Sequence, residues 1–416
     1  MSNNTKVTDS FNFFNGNDPK ELVKKYGSPL YVISESIIRQ RCRELKNLVK
    51  YPKFIPNYSA KANSNLAFLE IVQSEGLNAD AMSPGEIHVE LMAGFKPEQI
   101  FYVSNNVSAD EMKFAVEKGV TVSVDSLSQL ETYGKVNKGG KVAVRLNPGV
   151  GAGHSAKVVT GGKKTKFGFT LDLIPQIEET IKKYDLKLIG INQHIGSLYM
   201  EPDAFLQSVA TTLEVSKQFK ELEFIDFGGG FGIPYQKLND QPRLDLKKLG
   251  EEFDKLLNKF VKEYGKEITF KIEPGRYISA ESSVLLGTVT AVKTNGEDKY
   301  IGTDIGFNVL QRPVMYDSHH DIEVYNDSKE DEKVTVVGNI CESGDILAKD
   351  RVIPKAVEGD IIGVLDAGAY GYSMCSNYNN RLRPAEVLIR ENGEAVLVRE
   401  RDTFEDLTRH FISIKE

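Results

Sequence analysis

Cysteine is scarce. Only Cys42, Cys341 and Cys375 occur in 416 residues, too few and too scattered for a disulfide framework or a Cys-x-x-Cys metal site. A reduced, cytoplasmic protein is expected. The six histidines lack ligand spacing: His319 and His320 are adjacent rather than one helical turn apart, so no metal is expected. No run of about 18 apolar residues occurs, which excludes a membrane-crossing helix. Met1–Ser10 is polar and lacks the apolar stretch of a secretory signal. Positive charge is not in excess: 52 Lys+Arg stand against 59 Asp+Glu, a net of −7. That excludes a broad nucleic-acid-binding surface. Internal repeats and low-complexity tracts are absent, and Gly228-Gly-Gly-Phe-Gly232 does not fit the Gly-x-Gly-x-x-Gly dinucleotide fingerprint. A soluble protein with a small-molecule partner is expected.

What is present is an alternation of β-rich runs and helical stretches. Eight runs precede residue 280: Phe54–Tyr58, Leu77–Ala81, Ile100–Val103, Val120–Val124, Val142–Leu146, Leu188–Asn192, Phe224–Phe227 and Thr269–Ile272. Several are apolar on successive residues, as suits parallel strands covered on both faces. Asn65–Ser74 carries Leu66, Leu69, Ile71 and Val72 at helical spacing, and Ser83-Pro-Gly-Glu86 and Ser108-Ala-Asp-Glu111 read as capping boxes. Eight such units predict an α/β fold with a closed (β/α)8 TIM barrel over 34–280; an open doubly wound sheet is the structural rival. From about 281 to 416 the texture becomes all-β, with short runs at Val284–Thr294, Lys299–Gly302, Ile322–Tyr325, Lys333–Val337, Ile361–Asp366, Glu386–Arg390 and Ala395–Arg399. Gly27–Val32, within 1–33, is expected to add a strand to that domain. The glycine-rich connection Asn147–Gly168 has no helical period and reads as a lid or binding loop.

In a barrel, chemistry belongs just after the C-terminal ends of the strands, and unusual residues fall there. Lys61 follows the first strand between small residues. A lysine enclosed at a barrel mouth can lose its proton and form a Schiff base with an aldehyde, although most lysines are simply solvated. Gly228, Gly229 and Gly230 follow the seventh strand, where glycines let backbone N–H groups approach a phosphate; the bland reading is a flexible turn. Arg276, after the eighth strand, can add a charge-assisted bond to the same anion. Glu273 beside such a site can keep a pyridine nitrogen protonated, making the ring an electron sink. His194 offers a flat ring for stacking, and Asp80 can support His194 or Lys61. Together these groups describe a pyridoxal 5'-phosphate (PLP) site.

The chain resembles the fold type III PLP-dependent decarboxylases, most closely those acting on meso-2,6-diaminopimelate. The likeness runs from Gly27-Ser-Pro-Leu-Tyr-Val32 to Arg381-Leu-Arg-Pro-Ala-Glu386, with the family's motifs in the family's order. It implies a barrel of alanine-racemase type with a β-domain that includes the N-terminal strand. It further implies a homodimer with sites shared between subunits. By this resemblance Lys61 is the Schiff-base lysine, His194 stacks on the PLP ring, Glu273 faces its nitrogen, and Gly228, Gly229, Gly230, Gly275 and Arg276 hold the phosphate end, with Ser197 beside ring or phosphate. Cys341 of Cys341-Glu-Ser-Gly-Asp345 would reach the neighbouring subunit's site as a proton donor, with Glu342 on the substrate amine. Tyr370 of Asp366-Ala-Gly-Ala-Tyr370 would touch PLP or substrate, and Arg276, Arg312 and Tyr316 would bind the distal carboxylate. The family often has Met and Asp where this chain has Phe307 and Asn308. The implied reaction is decarboxylation of meso-2,6-diaminopimelate to L-lysine and CO2. The alternatives are another basic amino acid (ornithine, arginine or carboxynorspermidine) as substrate and, more remotely, a non-catalytic PLP-binding regulator.

Overall fold

The computed structural model describes residues 6–103, 105–147, 149, 152–153 and 166–415. Most of the expected lid, Gly149–Gly168, lies outside the described residues. The described chain divides into two compact units, one drawn from Arg39–Ile233 and Arg243–Ile278, the other from Met1–Ile38, Pro234–Pro242 and Ser279–Glu416.

The first unit is a closed barrel of eight parallel strands: Phe54–Ser59, Asn78–Ala81, Ile100–Tyr102, Thr121–Val124, Lys141–Arg145, Lys187–Asn192, Phe224–Asp226 and Thr269–Ile272. They follow one another around the barrel in sequence order, the last pairing with the first through Phe270 and Phe54. A helix follows each of the first seven strands. The longest, Leu246–Tyr264, shows why these segments coil. Asp245 caps it by accepting a hydrogen bond from the Lys248 N–H at 2.9 Å, and Gly265 ends it at φ +75°. Between them Leu249, Phe253, Leu257 and Phe260 recur at helical spacing and are buried. Truncating a buried leucine such as Leu257 to alanine costs about 2–5 kcal/mol. The Ser108 capping box forms in both directions. The Ser83 box forms in one only: Ser83 Oγ accepts from the Glu86 N–H, whereas the Glu86 carboxylate accepts from the Met82 N–H at 2.6 Å.

The second unit is a nine-stranded sheet. Its main path runs through Ile346–Pro354, Asp331–Val337, Asp298–Thr303, Ser283–Asn295, Leu30–Ser34, Ala385–Ile389 and Ala395–Arg399; Ile361–Val364 joins Ser283–Asn295 to Ile322–Val324. The N-terminal strand sits inside this sheet, Leu30 opposite Leu286 on one side and Ala385 on the other. Ile346–Pro354 is a strand the hydrophobic pattern does not reveal. Its Ala-Lys-Asp-Arg interior breaks the alternation, Asp350 takes φ +53°, and the register to its partner shifts there, as at a β-bulge.

Candidate active site

Strand register builds the site. Pairing places Ser59 beside Asp80, Arg145 beside Asn192, and Asn192 beside Asp226, all at the C-terminal end of the barrel. The first strand then breaks into the short turn Ala60–Ala62, which delivers the Lys61 amine to 3.8 Å from an Asp80 oxygen. Asp80 is fully buried and its carboxyl is held above the ordinary range by that burial, against the pull of the Lys61 ammonium. Lys61 keeps about a third of its side chain exposed, so the amine has a route to a ligand.

The glycine loop interlocks with the loops after the sixth and eighth strands. Gly228 has φ +70°, and a Cβ there would run into the Gln193 carbonyl and the His194 ring. A Cβ on Gly229 would occupy the place of the Glu273 carbonyl oxygen. The chain needs glycine here because backbone passes against backbone, and the Gly228 N–H donates to an Asp226 oxygen at 2.8 Å. The Gly229 N–H donates to His194 Nδ1 at 3.0 Å, which fixes that nitrogen as an acceptor. Burial, then Lys61 and Arg145, push the imidazole well below its usual range, so it is neutral. Arg276 is buried and donates from Nε and Nη2 to Ser197 Oγ at 3.3 and 3.0 Å. A Cβ on Gly275 would meet Ala62 and Ser59 at 3.0–3.1 Å. The sequence-selected residues of this unit, Lys61, Asp80, His194, Ser197, Gly228, Gly229, Gly230, Glu273, Gly275 and Arg276, therefore share one end of the barrel.

Glu273 is 3 % exposed, and its Oε1 has no hydrogen-bond partner. Burial lifts its carboxyl well above the usual range, assisted by Asp226 and Asp80 and opposed by Lys61 and Arg145. A buried carboxyl with an unused oxygen suits a group that brings a basic ring nitrogen. The Arg276 guanidinium, with Ser197 and the glycine loop at the same end of the barrel, suits a phosphate, and the Lys61 amine suits an aldehyde. The residues present fit PLP.

Sequence reasoning passed over four groups. Asp226 ends the seventh strand, accepts from the Gly228 N–H at 2.8 Å, and is pushed by burial up to about 7. Its place two residues before the glycine run was the available signal. Arg145 ends the fifth strand and faces the charges of Glu273 and Asp125; an arginine closing an apolar run was its signal. Lys271 is held below its usual range by burial, its ammonium over the Phe224 ring at 4.2 Å. Glu90 is fully buried with neither oxygen hydrogen-bonded, and only its helical spacing hints at an inward face.

The remaining candidates belong to the second unit. Cys341 and Glu342 are exposed; the Cys341 N–H donates to Asn379 Oδ1 at 3.0 Å, and Tyr378 Oη donates to Glu342 at 2.5 Å. Asp345 of the same motif accepts from the Ile340 and Phe307 N–H groups, each at 2.7 Å, and so holds the loop. Tyr370 takes φ +56° and is half-buried. Arg312, in the short helix Arg312–Tyr316, is 1 % exposed, while Tyr316 is half-buried.

A family model for the pyridoxal binding domain of pyridoxal-dependent decarboxylases matches residues 35–280. The diaminopimelate decarboxylase of Methanothermobacter thermautotrophicus is 43 % identical, over 95 % of this chain and 94 % of its own. The structure of diaminopimelate decarboxylase from M. jannaschii in complex with L-lysine superposes with a TM-score of 0.89 at 32 % identity, covering 96 % of this chain and 95 % of the other. The Helicobacter pylori enzyme, also complexed with L-lysine, gives 0.88 at 30 % identity, covering 94 % and 98 %.

Proposed function

The chain belongs to the pyridoxal-dependent decarboxylases, within the diaminopimelate decarboxylase family, and from that we propose that it converts meso-2,6-diaminopimelate to L-lysine and CO2. The observation that carries this reading is the buried, half-unpartnered Glu273 at the same barrel mouth as Lys61, Arg276 and the glycine loop. When bound, PLP supplies the electron sink that accepts the pair left as CO2 departs.

The chain's own residues supply the rest. Lys61 would hold the aldehyde carbon covalently and, on substrate arrival, act as a positioned amine. Asp80 would keep that amine oriented. Gly228, Gly229, Gly230, Gly275, Arg276 and Ser197 would hold the phosphate. Neutral His194, its Nδ1 tied to Gly229, would lie against the ring face without adding a charge. Glu273 would share a proton with the ring nitrogen and hold it there. Arg312 and Tyr316, with Arg276, would receive the distal carboxylate; a guanidinium matches a planar carboxylate in two parallel bonds where an ammonium does not. Glu342 would take the distal amine, and Tyr370 would touch cofactor or substrate. The protein would work in the cytoplasm as a homodimer with shared sites, Cys341 of one subunit delivering a proton to the α-carbon in the neighbouring subunit's site.

The test is direct. The purified protein should show the visible band of bound PLP and release CO2 from meso-diaminopimelate, with little or none from ornithine or arginine. A colourless protein that gains no band with added PLP defeats the cofactor assignment. Turnover of ornithine without diaminopimelate defeats the substrate assignment. Gel filtration and cross-complementation of two inactive variants, one in Lys61 and one in Cys341, test the shared-site dimer.

A further inference from the structure

Among the described residues Arg312 stands first by volume of the side chains buried to below 2 % exposure, and its surroundings fix more than its position. Nη1 lies 2.9 Å from His320 Nε2, and Nη2 donates to Ser318 Oγ at 3.2 Å. The guanidinium carbon sits over the Tyr235 ring at 4.6 Å. That ring meets the His320 ring edge-on, with centroids 5.3 Å apart and planes at 78°. His320 is itself 1 % exposed, and its Nδ1 lies 2.7 Å from the Leu365 carbonyl oxygen.

These partners dictate the state of the imidazole. Arginine has donors and no acceptor, so Nε2 must present its lone pair. A carbonyl oxygen has no proton to give, so Nδ1 must carry the hydrogen. One neutral tautomer satisfies both bonds. The backbone arranges this by turning at Asp317, φ +53°, directly after the Arg312–Tyr316 helix, which brings His320 back to the arginine eight positions earlier. Leu365 stands just before the Asp366–Tyr370 stretch, so a single ring ties the arginine-bearing helix to that loop.

We infer that His320 is a specificity-positioning residue: through its Nε2 acceptor and its Nδ1–Leu365 bond, it holds the Arg312 guanidinium in the plane in which it receives the substrate's distal carboxylate. This rests on the reading of Arg312 given above. Ser318 fixes a second nitrogen and Tyr235 supports the flat face, so the guanidinium cannot swing when the carboxylate is absent. Such preorganisation lowers the ordering cost of binding a dicarboxylic amino acid and gives nothing to a diamine.

The test uses the PLP-loaded enzyme and two variants of His320. His320→Phe keeps a flat ring without an acceptor. His320→Gln supplies a carboxamide able to accept from Arg312 and donate to Leu365. His320→Phe should raise KM for meso-diaminopimelate roughly tenfold or more, the scale of a hydrogen bond to a charged group, with kcat changed far less. Inhibition should separate positioning from general damage: L-lysine keeps the distal carboxylate and cadaverine lacks it. The preference for L-lysine over cadaverine should collapse in His320→Phe and return in His320→Gln. An unchanged preference in His320→Phe, or equal loss of both inhibitors, overturns the inference. Arg312→Ala distinguishes the two claims. If it abolishes the preference while His320→Phe does not, only the role of His320 falls; if it too leaves the preference intact, the distal-carboxylate reading falls and the inference with it. Should His320→Phe not fold, nitrogen NMR of the wild-type ring decides. Nδ1 should be protonated and Nε2 bare at the pH of the assay, as the two bonds require; a reversed or doubly protonated ring overturns the proposal.

Discussion

Burial raises carboxyls both at the barrel mouth and in the β-sheet unit, where Asp345 and Asp366 shift upward too, but the two regions differ in how their buried polar atoms are partnered. At the mouth, burial drives every shifted group toward neutrality: Asp80, Asp226 and Glu273 hold protons more tightly, while His194 and Lys271 hold them less tightly. Polar atoms are left without hydrogen-bond partners, Oε1 of Glu273 and both oxygens of Asp80 among them, although one Asp80 oxygen lies 3.8 Å from the Lys61 amine. In the β-sheet unit the orphaned buried side-chain atoms among the described residues are the neutral Ser283 Oγ and Asn339 Oδ1, and the buried charged groups named next are met by the protein itself. Asp345 accepts two backbone N–H groups, and Lys237 lies 2.6 Å from Asp366 and 3.3 Å from Glu281. Arg312 is caged by His320, Ser318 and Tyr235. Buried polar groups are ordinarily satisfied, so a cluster of orphans marks a place that expects a ligand, and a satisfied cluster marks one that holds a shape.

That contrast can be broken first at Lys61. Lys61→Ala removes the only covalent anchor proposed for the cofactor and should lower kcat by about 10³-fold or more, within the range reported for loss of a covalent nucleophile acting with its partners. Borohydride treatment followed by peptide mapping should place a pyridoxyl group on Lys61 in the wild type and none in the variant; an adduct on another lysine moves the anchor. Glu273→Gln comes next. It keeps the shape and a hydrogen-bonding group but cannot share an ionising proton, and should cost roughly 10²–10³-fold in kcat, as for loss of one preorganised electrostatic group. PLP affinity should change little. Unchanged kcat would mean that the orphaned oxygen serves only packing.

Cys341 tests the other side of the comparison. It is exposed and carries no buried charge, so Cys341→Ala should leave the melting temperature and PLP content unchanged while lowering kcat about 10²-fold, the low end for a general acid. An unaltered turnover removes it from the chemistry. A fall in melting temperature equal to that of a core substitution would mark it as structural.

The same physics decides what the sequence could disclose. The eight barrel strands are visible because parallel strands buried on both faces read as short apolar runs, and Lys61, His194, Glu273 and Arg276 stand out as polar residues that end or follow them. Arg145 and Asp226 end such runs too, yet they sit inside the run boundaries and read as strand. Ile346–Pro354 is hidden by its charged interior and its bulge at Asp350. Glu86 fits the capping pattern of Ser83 in sequence, but its carboxylate finds the Met82 N–H instead, a choice of one residue that spacing cannot make. His320 was weighed only as a metal ligand beside His319. Its acceptor role depends on a turn at Asp317 and on a carbonyl 45 positions away, and no local pattern carries that information.

The finest test concerns Asp226, whose effect falls on stability more than on turnover. Its Oδ1 accepts from Gly228, and its Oδ2 lies 3.3 Å from the Asn57 side-chain amide, whose own oxygen has no partner. Exchanging the amide's oxygen and nitrogen, which have nearly equal shape, would let a protonated Asp226 donate to that oxygen. Burial raises the carboxyl to about 7, against about 3.9 in an unfolded chain. Between those values the folded state binds more protons than the unfolded one, so this group's contribution to stability falls as pH rises from about 4 to about 7 and is level beyond. The total is on the order of a few kcal/mol. Asp226→Asn replaces the protonated carboxyl by an amide that cannot ionise and can make the same two bonds. In cofactor-free protein, the melting temperature of Asp226→Asn relative to wild type should therefore climb steadily between pH 5 and pH 7 and then hold constant. A difference independent of pH would show that Asp226 is ionised in the folded barrel, and would place the Asn57 amide nitrogen, rather than its oxygen, against the carboxylate.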